Sequence, residues 1–354
     1  MTFVKFTDVG TPVLRDCHEA IAIRTSPNDN ILKYACPLDF KSLKALSINN
    51  CVLRGRDLVA FKNWFLPAND IWPHYRRVSP AGKLRQVLSL CVHRTETIEI
   101  RDGVLCSLAS HPSWEKNIFH WFIDILPRIF AAETVSSNCQ PVRLIKPGSL
   151  EAWQIDSLEC LGYGSDAIIT TPDVESISIC CASFAGLVGH RRFHAKGLPD
   201  FSIHPYIINQ LKTRLNKFSG MHRKAFPARI IIFRHPSVGR SFLNMSDIHR
   251  FAAYHGFSVL DLANLSLKDQ ISIFNQSSHI IAAHGAGLTN LIHCSQAAVL
   301  EIHCSKHGIR SEYFQIAAIN NLRYFYHVCS AANEQADMVI DIKVLESFIR
   351  QTSD

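Results

Sequence analysis

Two hydrophobic periods alternate through the second half of the chain. Short apolar runs at 229–233, 257–260, 279–283, 299–303 and 323–328 have the length of buried strands. Between them, 246–255 and 266–275 space their apolar residues as one face of a helix, with Ser246 and Ser266 placed as N-caps. Strand and helix in turn, joined by short connections, predict a parallel sheet covered on both faces. A last helical stretch, 341–350, sets Ile342, Leu345, Phe348 and Ile349 on one side and is free to dock back across a domain boundary.

The first two hundred residues are less regular. Short β-like runs at 50–53, 57–61 and 97–100 come first, then a helical pattern near Ile118, then strand-like segments at 141–146 and 167–170. Gly197, Pro199 and Pro205 interrupt the pattern between 196 and 205. The expected organisation is an N-terminal α/β domain over 1–200 with an irregular β-rich start, a C-terminal α/β domain over 205–340, and a terminal helix over 341–354.

A chain of 354 residues, 47% hydrophobic, can bury a large core, and its length favours two domains over one. The charge of +7, from 37 basic and 30 acidic residues, is spread without a polybasic block. That suits anionic substrates or a lipid surface, allows peripheral membrane association, and argues against a nucleic-acid partner. The start, Met1 to Phe6, lacks the layout of a secretory signal, and no apolar run approaches a membrane span, so cytoplasmic residence is the expectation. Twelve scattered cysteines then read as buried thiols, with Cys180-Cys181 inside a buried strand. Cys294, His303, Cys304 and His307 are metal-ligand types, but their spacing matches no zinc template and they read as core or loop residues.

Three segments carry chemistry. In His284-Gly285-Ala286-Gly287-Leu288-Thr289-Asn290, an apolar strand enters a glycine-bearing turn that leads into an apolar, helix-compatible stretch. Positive φ at Gly285 and Gly287 would let the backbone approach a phosphate, and the helix start would supply unpaired N–H donors. Glu301 closes the next strand-like run, where a carboxylate can accept from a ribose diol. The same string contains Gly285-x-Gly287-x-x-Asn290, a dinucleotide fingerprint without its third glycine, so an NAD(P)-dependent enzyme is a rival reading.

The second segment, 117–128, sets His120, Asp124 and Arg128 four apart, one polar stripe on an otherwise apolar helix that Pro127 is expected to end or kink. A histidine and a carboxylate one turn apart can form a proton acceptor. Alternatively, Asp124 simply pairs with Arg128. In the third segment, 229–244, an apolar strand ends in Arg234 and a Pro/Gly loop leads to Arg240 and Asn244. Two guanidiniums at a sheet's carboxyl edge can offset a diphosphate's charge without a metal.

Together the three segments resemble glycosyltransferase family 61, the capsular-polysaccharide-biosynthesis-like enzymes. The resemblance rests on H-W-x-x-D-x-L-P-R from His120, I-x-x-R-x(5)-R-x(3)-N from Ile231 to Asn244, and H-G-A-G-L-T-N with its downstream Glu301. It implies a GT-B fold, two Rossmann-like domains facing across a cleft, and inverting transfer of a sugar from a nucleotide, UDP by analogy, to a glycan or lipid-linked glycan acceptor. It implies no cofactor and no obligatory metal. Asp124 would be the base, with His120 as partner or substitute and Glu115 or His111 next in line. Donor binding would fall to Arg234, Arg240, Asn244, the turn from His284 through Gly285, Ala286, Gly287, Leu288 and Thr289 to Asn290, and Glu301. A non-catalytic sugar-nucleotide or glycan-binding module stays open beside it. After Asn244 the family usually has an acidic residue, where this chain has Met245 and Ser246.

Overall fold

The computed structural model describes residues 4–10, 21–22, 43–54, 59–61, 96–109, 112–136, 140–172, 177–188, 191–192, 202–221 and 225–353. The chain divides into two compact units, Met1–Pro12 with Phe40–Arg191, and Val13–Asp39 with Arg192–Asp354. In chain order the strands are β1 (Val4–Gly10), β2 (Ile21–Ala22), β3 (Leu43–Arg54), β4 (Val59–Phe61), β5 (Glu96–Ile100), β6 (Val104–Ser107), β7 (Val142–Pro147) and β8 (Ile168–Thr171). They continue with β9 (Ile177–Val188), β10 (Arg191–Arg192), β11 (Ser202–Ile203), β12 (Arg229–Ile232), β13 (Ser258–Leu260), β14 (His279–Ala283), β15 (Ala298–Cys304) and β16 (Arg323–Cys329).

The first unit is built on a sheet of order β1-β3-β9-β6-β7-β8, with β4 added to β3 and β5 to β9. Strands β5 to β9 run parallel where they pair, and β3 is antiparallel to β1, β4 and β9. Leu46, Ile48, Leu53, Ile179 and Phe184 of the long β3–β9 pair form the centre of its core, with Cys51 and Cys181 among them. Cys181 is thus the buried strand thiol its apolar surroundings suggest.

Residues 118–135 continue past Pro127. An α-helical turn, Ile118–His120, passes into a π turn, Trp121–Ile125, and then into the α-helix Pro127–Val135. The wider ring lets Leu126 N–H bond Trp121 O at 2.9 Å. Pro127, which has no N–H to give, then sits in the first turn of the following helix, where none is needed. The expected break is a one-residue bulge, a feature frequent at functional positions.

The second unit has a sheet of order β13-β12-β14-β15-β16-β2, parallel at every pairing. Its middle strands are buried on both faces, as the row Ile231, Ile281, Leu300 and Phe325 shows on one side and the row Ile230, Ile280, Val299 and Tyr324 on the other. Both units are thus α/β with largely parallel sheets, consistent with two Rossmann-like domains. The second also takes strand β2 from the amino-terminal region, which the sequence pattern assigns wholly to the first domain. The terminal helix, Ile342–Thr352, does not leave its apolar face for another domain: Val344, Leu345 and Phe348 lie in this unit's core with Ile248 and Phe251. No helix among the described residues is long and apolar enough to cross a membrane.

Of the two expected caps, Ser266 accepts from Asp269 N–H at 3.1 Å, whereas the helix Met245–His255 begins one residue before Ser246. Its N-cap is Asn244, whose amide is held elsewhere: Nδ2 donates to Ile340 O at 3.0 Å and Oδ1 accepts from Ile340 N–H at 3.1 Å. These two bonds tie Ile340, in the segment before the last helix, to the start of the helix Met245–His255. Removing both bonds is expected to cost about 2 kcal/mol. Asn244→Ala should lower the melting temperature by a few degrees in a calorimetric scan; unchanged melting would refute the structural assignment.

Candidate functional site

Renumbered from β12, the strands β12 to β16 of the second sheet have the order 2-1-3-4-5. Successive connections from β12 run to opposite sides, opening a crevice beyond the carboxyl ends of β12 and β14. Arg234 follows β12 and His284-Gly285 follow β14, so two of the three chemical segments meet there. Arg234 Nε donates to Gly239 O at 2.6 Å, and its Nη1 lies where a Cβ on Gly285 would be 2.2 Å away.

The glycine at 285 is therefore a matter of space, not of positive φ. Gly285 has φ 176°, ordinary extended backbone, and Gly287 is not among the positive-φ residues. A Cβ on Gly287 would meet Leu262 Cδ1 at 3.0 Å. The turn winds into 3-10 geometry over Ala286–His293, not an α-helix. Leu288, Thr289 and Asn290 are buried, and Asn290 Nδ2 holds Gly287 O and Gln270 Oε1. Within the motif, His284, Ala286 and Gly287 keep partial exposure and the rest braces the turn.

Left-handed backbone occurs instead at Gly239 (φ 66°) and Arg240 (φ 60°). A Cβ at 239 would lie 2.5 Å from Gln335 O, and Arg240 N–H bonds that same carbonyl at 3.1 Å. A non-glycine residue held there costs roughly 1–2 kcal/mol. Such a cost points to use of the side chain.

The crevice carries a positive field. Burial, then the charge of Arg240, holds Arg234 down to about 10. Burial lowers His284 to about 4; Glu312 opposes the shift, and Arg240, Arg310 and Arg234 reinforce it. His284 is a neutral imidazole at neutral pH. Arg310 and Glu312 escaped the sequence reading; the visible signal is the basic run Lys306, His307, Arg310 just past the carboxyl end of β15.

Glu301 does not present a free carboxylate. It is fully buried, with Oε1 2.5 Å from His284 Nδ1 and Oε2 accepting from the Tyr324 hydroxyl. The sequence places it at a strand end, but β15 runs on to Cys304 and encloses it. Burial raises its pKa. His303, also fully buried, stacks on His284 with ring centroids 5.3 Å apart and has Nε2 3.8 Å from Glu301 Oε1. Cys294 and Cys304 are core residues and His307 is exposed, so those three join no ligand cluster with His303.

The remaining segment lies in the first unit. His120 Nδ1 and Asp124 Oδ2 are 2.7 Å apart, and the His120 ring stacks on Trp114 at 4.1 Å. Arg128 does not pair with the Asp124 carboxylate. It donates to the Asp124 backbone carbonyl at 2.9 Å, to Ser107 O at the end of β6 and to Ala109 O just past it. Glu115 is bound by buried Lys146, which together with a Gln154 bond to Glu115 O and a Trp121 Nε1 bond to Ser157 fixes this stretch. His111 lies outside the described residues.

No curated protein matches the chain. The family model for glycosyltransferase 61 matches residues 118–300, which span the His120–Asp124 pair, both arginines and the His284 turn, and the chain belongs to that family.

Proposed function

We propose that the chain is an inverting GT-B glycosyltransferase taking a nucleotide sugar, UDP by family analogy, in polysaccharide or glycoconjugate synthesis. Membership of the family makes it a glycosyl-transfer enzyme with a sugar donor and an acceptor. The finer reading is carried by the Arg234 guanidinium lodged against Gly285 at the switch point, with Arg240 beside it. A guanidinium depressed by burial and by the like charge beside it is stabilised by an anion, and a departing nucleoside diphosphate is a fitting one. Neutral His284 adds a hydrogen-bonding group at the same edge. The arginines carry the leaving-group charge, so transfer needs no metal on the diphosphate.

For the base we favour His120 over Asp124. The Asp124 side chain is 3% exposed against 17% for His120. A carboxylate accepting the Nδ1 proton fixes the tautomer in which Nε2 takes a proton from an acceptor hydroxyl. Turnover of donor into free nucleotide separates this enzyme from a silent binding module.

Three outcomes follow from this assignment. Arg234→Ala and Arg240→Ala should each weaken UDP binding by roughly 1.5–3 kcal/mol in titration calorimetry, the usual worth of a charged hydrogen bond; unchanged affinity in both removes them from the site. Gly285→Ala should displace the Arg234 guanidinium, so its loss in UDP affinity should overlap with that of Arg234→Ala in a double-mutant cycle. Full additivity would refute the steric link. Asp124→Asn and His120→Ala should reduce kcat about 10²–10⁴-fold, or about 3–5 kcal/mol of barrier, while UDP still binds. Normal turnover with depressed melting would leave the pair a purely structural role.

A further inference from the structure

His284, Glu301 and His303 form a group whose role is not exhausted by donor binding. One ligand-type atom from each lies within 4.8 Å of the other two, the only such group of histidine, cysteine or carboxylate side chains among the described residues. His303 is fully buried, yet neither of its ring nitrogens has a hydrogen-bond partner. An unsatisfied buried polar atom costs about 1–3 kcal/mol, so a side chain with two of them calls for an occupant. The neighbouring carboxylate is already oriented, because Tyr324 donates to Glu301 Oε2 and leaves Oε1 toward both imidazoles.

We propose that His284, Glu301 and His303 bind a divalent transition-metal ion, zinc being the best match to two imidazoles and one carboxylate. Bonds of about 2.0–2.2 Å around a shared ion set three ligand atoms roughly 3.3 Å apart. The present separations from Glu301 Oε1, 2.5 and 3.8 Å, bracket that spacing and the two imidazole nitrogens lie within 4.8 Å of one another, so side-chain adjustments of about one to two ångströms seat the ion. Tyr324 is then the group that orients the ligating carboxylate. The nearby arginines oppose a dication. Glu301 and Glu312 offset them in part, and Glu312 Oε2 is itself buried without a hydrogen-bond partner. The ion ties the turn after β14 to β15 and fixes the face His284 shows at the crevice, while the arginines meet the diphosphate. The site stands on these three side chains whatever the donor proves to be.

The test uses the full chain, dialysed first against Zn²⁺ and then against metal-free buffer. Elemental analysis should find about one zinc per chain, and Co²⁺ in its place should give a visible spectrum with nitrogen and oxygen ligands. Glu301→Gln should abolish retention, and Tyr324→Phe, a milder change that keeps the packing, should weaken it at least about tenfold. Absence of retained metal in the parent protein overturns the proposal, as does parental affinity in both variants. A thiolate-to-cobalt charge-transfer band also overturns it by moving the ion to the cysteines. If Glu301→Gln does not fold, Tyr324→Phe and the cobalt spectrum decide. UDP affinity measured on the same samples separates failure of the metal site from failure of the donor reading.

Discussion

A carboxylate enclosed in the middle of a parallel sheet has to be met by donors from within the protein, and Glu301 sets that condition for the second unit. Water cannot supply the hydrogen bonds, so the hydroxyl of Tyr324 on the next strand and the imidazole of His284 after the preceding one are drawn to its two oxygens. In the parallel register Ala282 and Tyr326 stand opposite Glu301. The partners therefore come from two residues to either side, and the end of β14 is pulled down onto β15. The orientation of the turn that follows is a consequence of this internal pairing.

The second constraint is steric. Arg234 reaches across the switch point into volume that any side chain at 285 would occupy, and its Nε is anchored on the carbonyl of Gly239. Two glycines thus serve one arginine, the first by absence of a side chain and the second by left-handed backbone. With Arg240 held beside it, the crevice concentrates positive charge in a partly desolvated place. There a guanidinium is worth more to an incoming phosphate than on an open surface.

The second sheet was largely legible because its strands are separate apolar runs and its helices carry clear amphipathic spacing; β12 to β16 lie within a residue or so of their expected ends. Such offsets matter little for topology and a great deal for chemistry. The three residues by which β15 continues past Glu301 turn it from a strand-end ligand hook into a core residue. The glycines at 285 and 287 were recognisable as required, but local sequence does not distinguish a need for positive φ from a need for room. Room depends on side chains distant in sequence, Arg234 for the first glycine and Leu262 for the second. The π turn was hidden for a related reason: His120 and Asp124 still approach one another, so the spacing reads as an ordinary helix. Strand β2 is too short to carry a periodic signal of its own.

That short strand bears on how the molecule is made. Ile21–Ala22 completes the edge of β16, so the two strands that pair stand about three hundred positions apart along the chain. During synthesis β2 emerges first among the strands of its sheet and has nothing to pair with until β16 has followed. Closing so long a loop is slow relative to local contacts, and until it closes β16 presents an open edge. Separating the units by a single cut near residue 200 would make that open edge permanent.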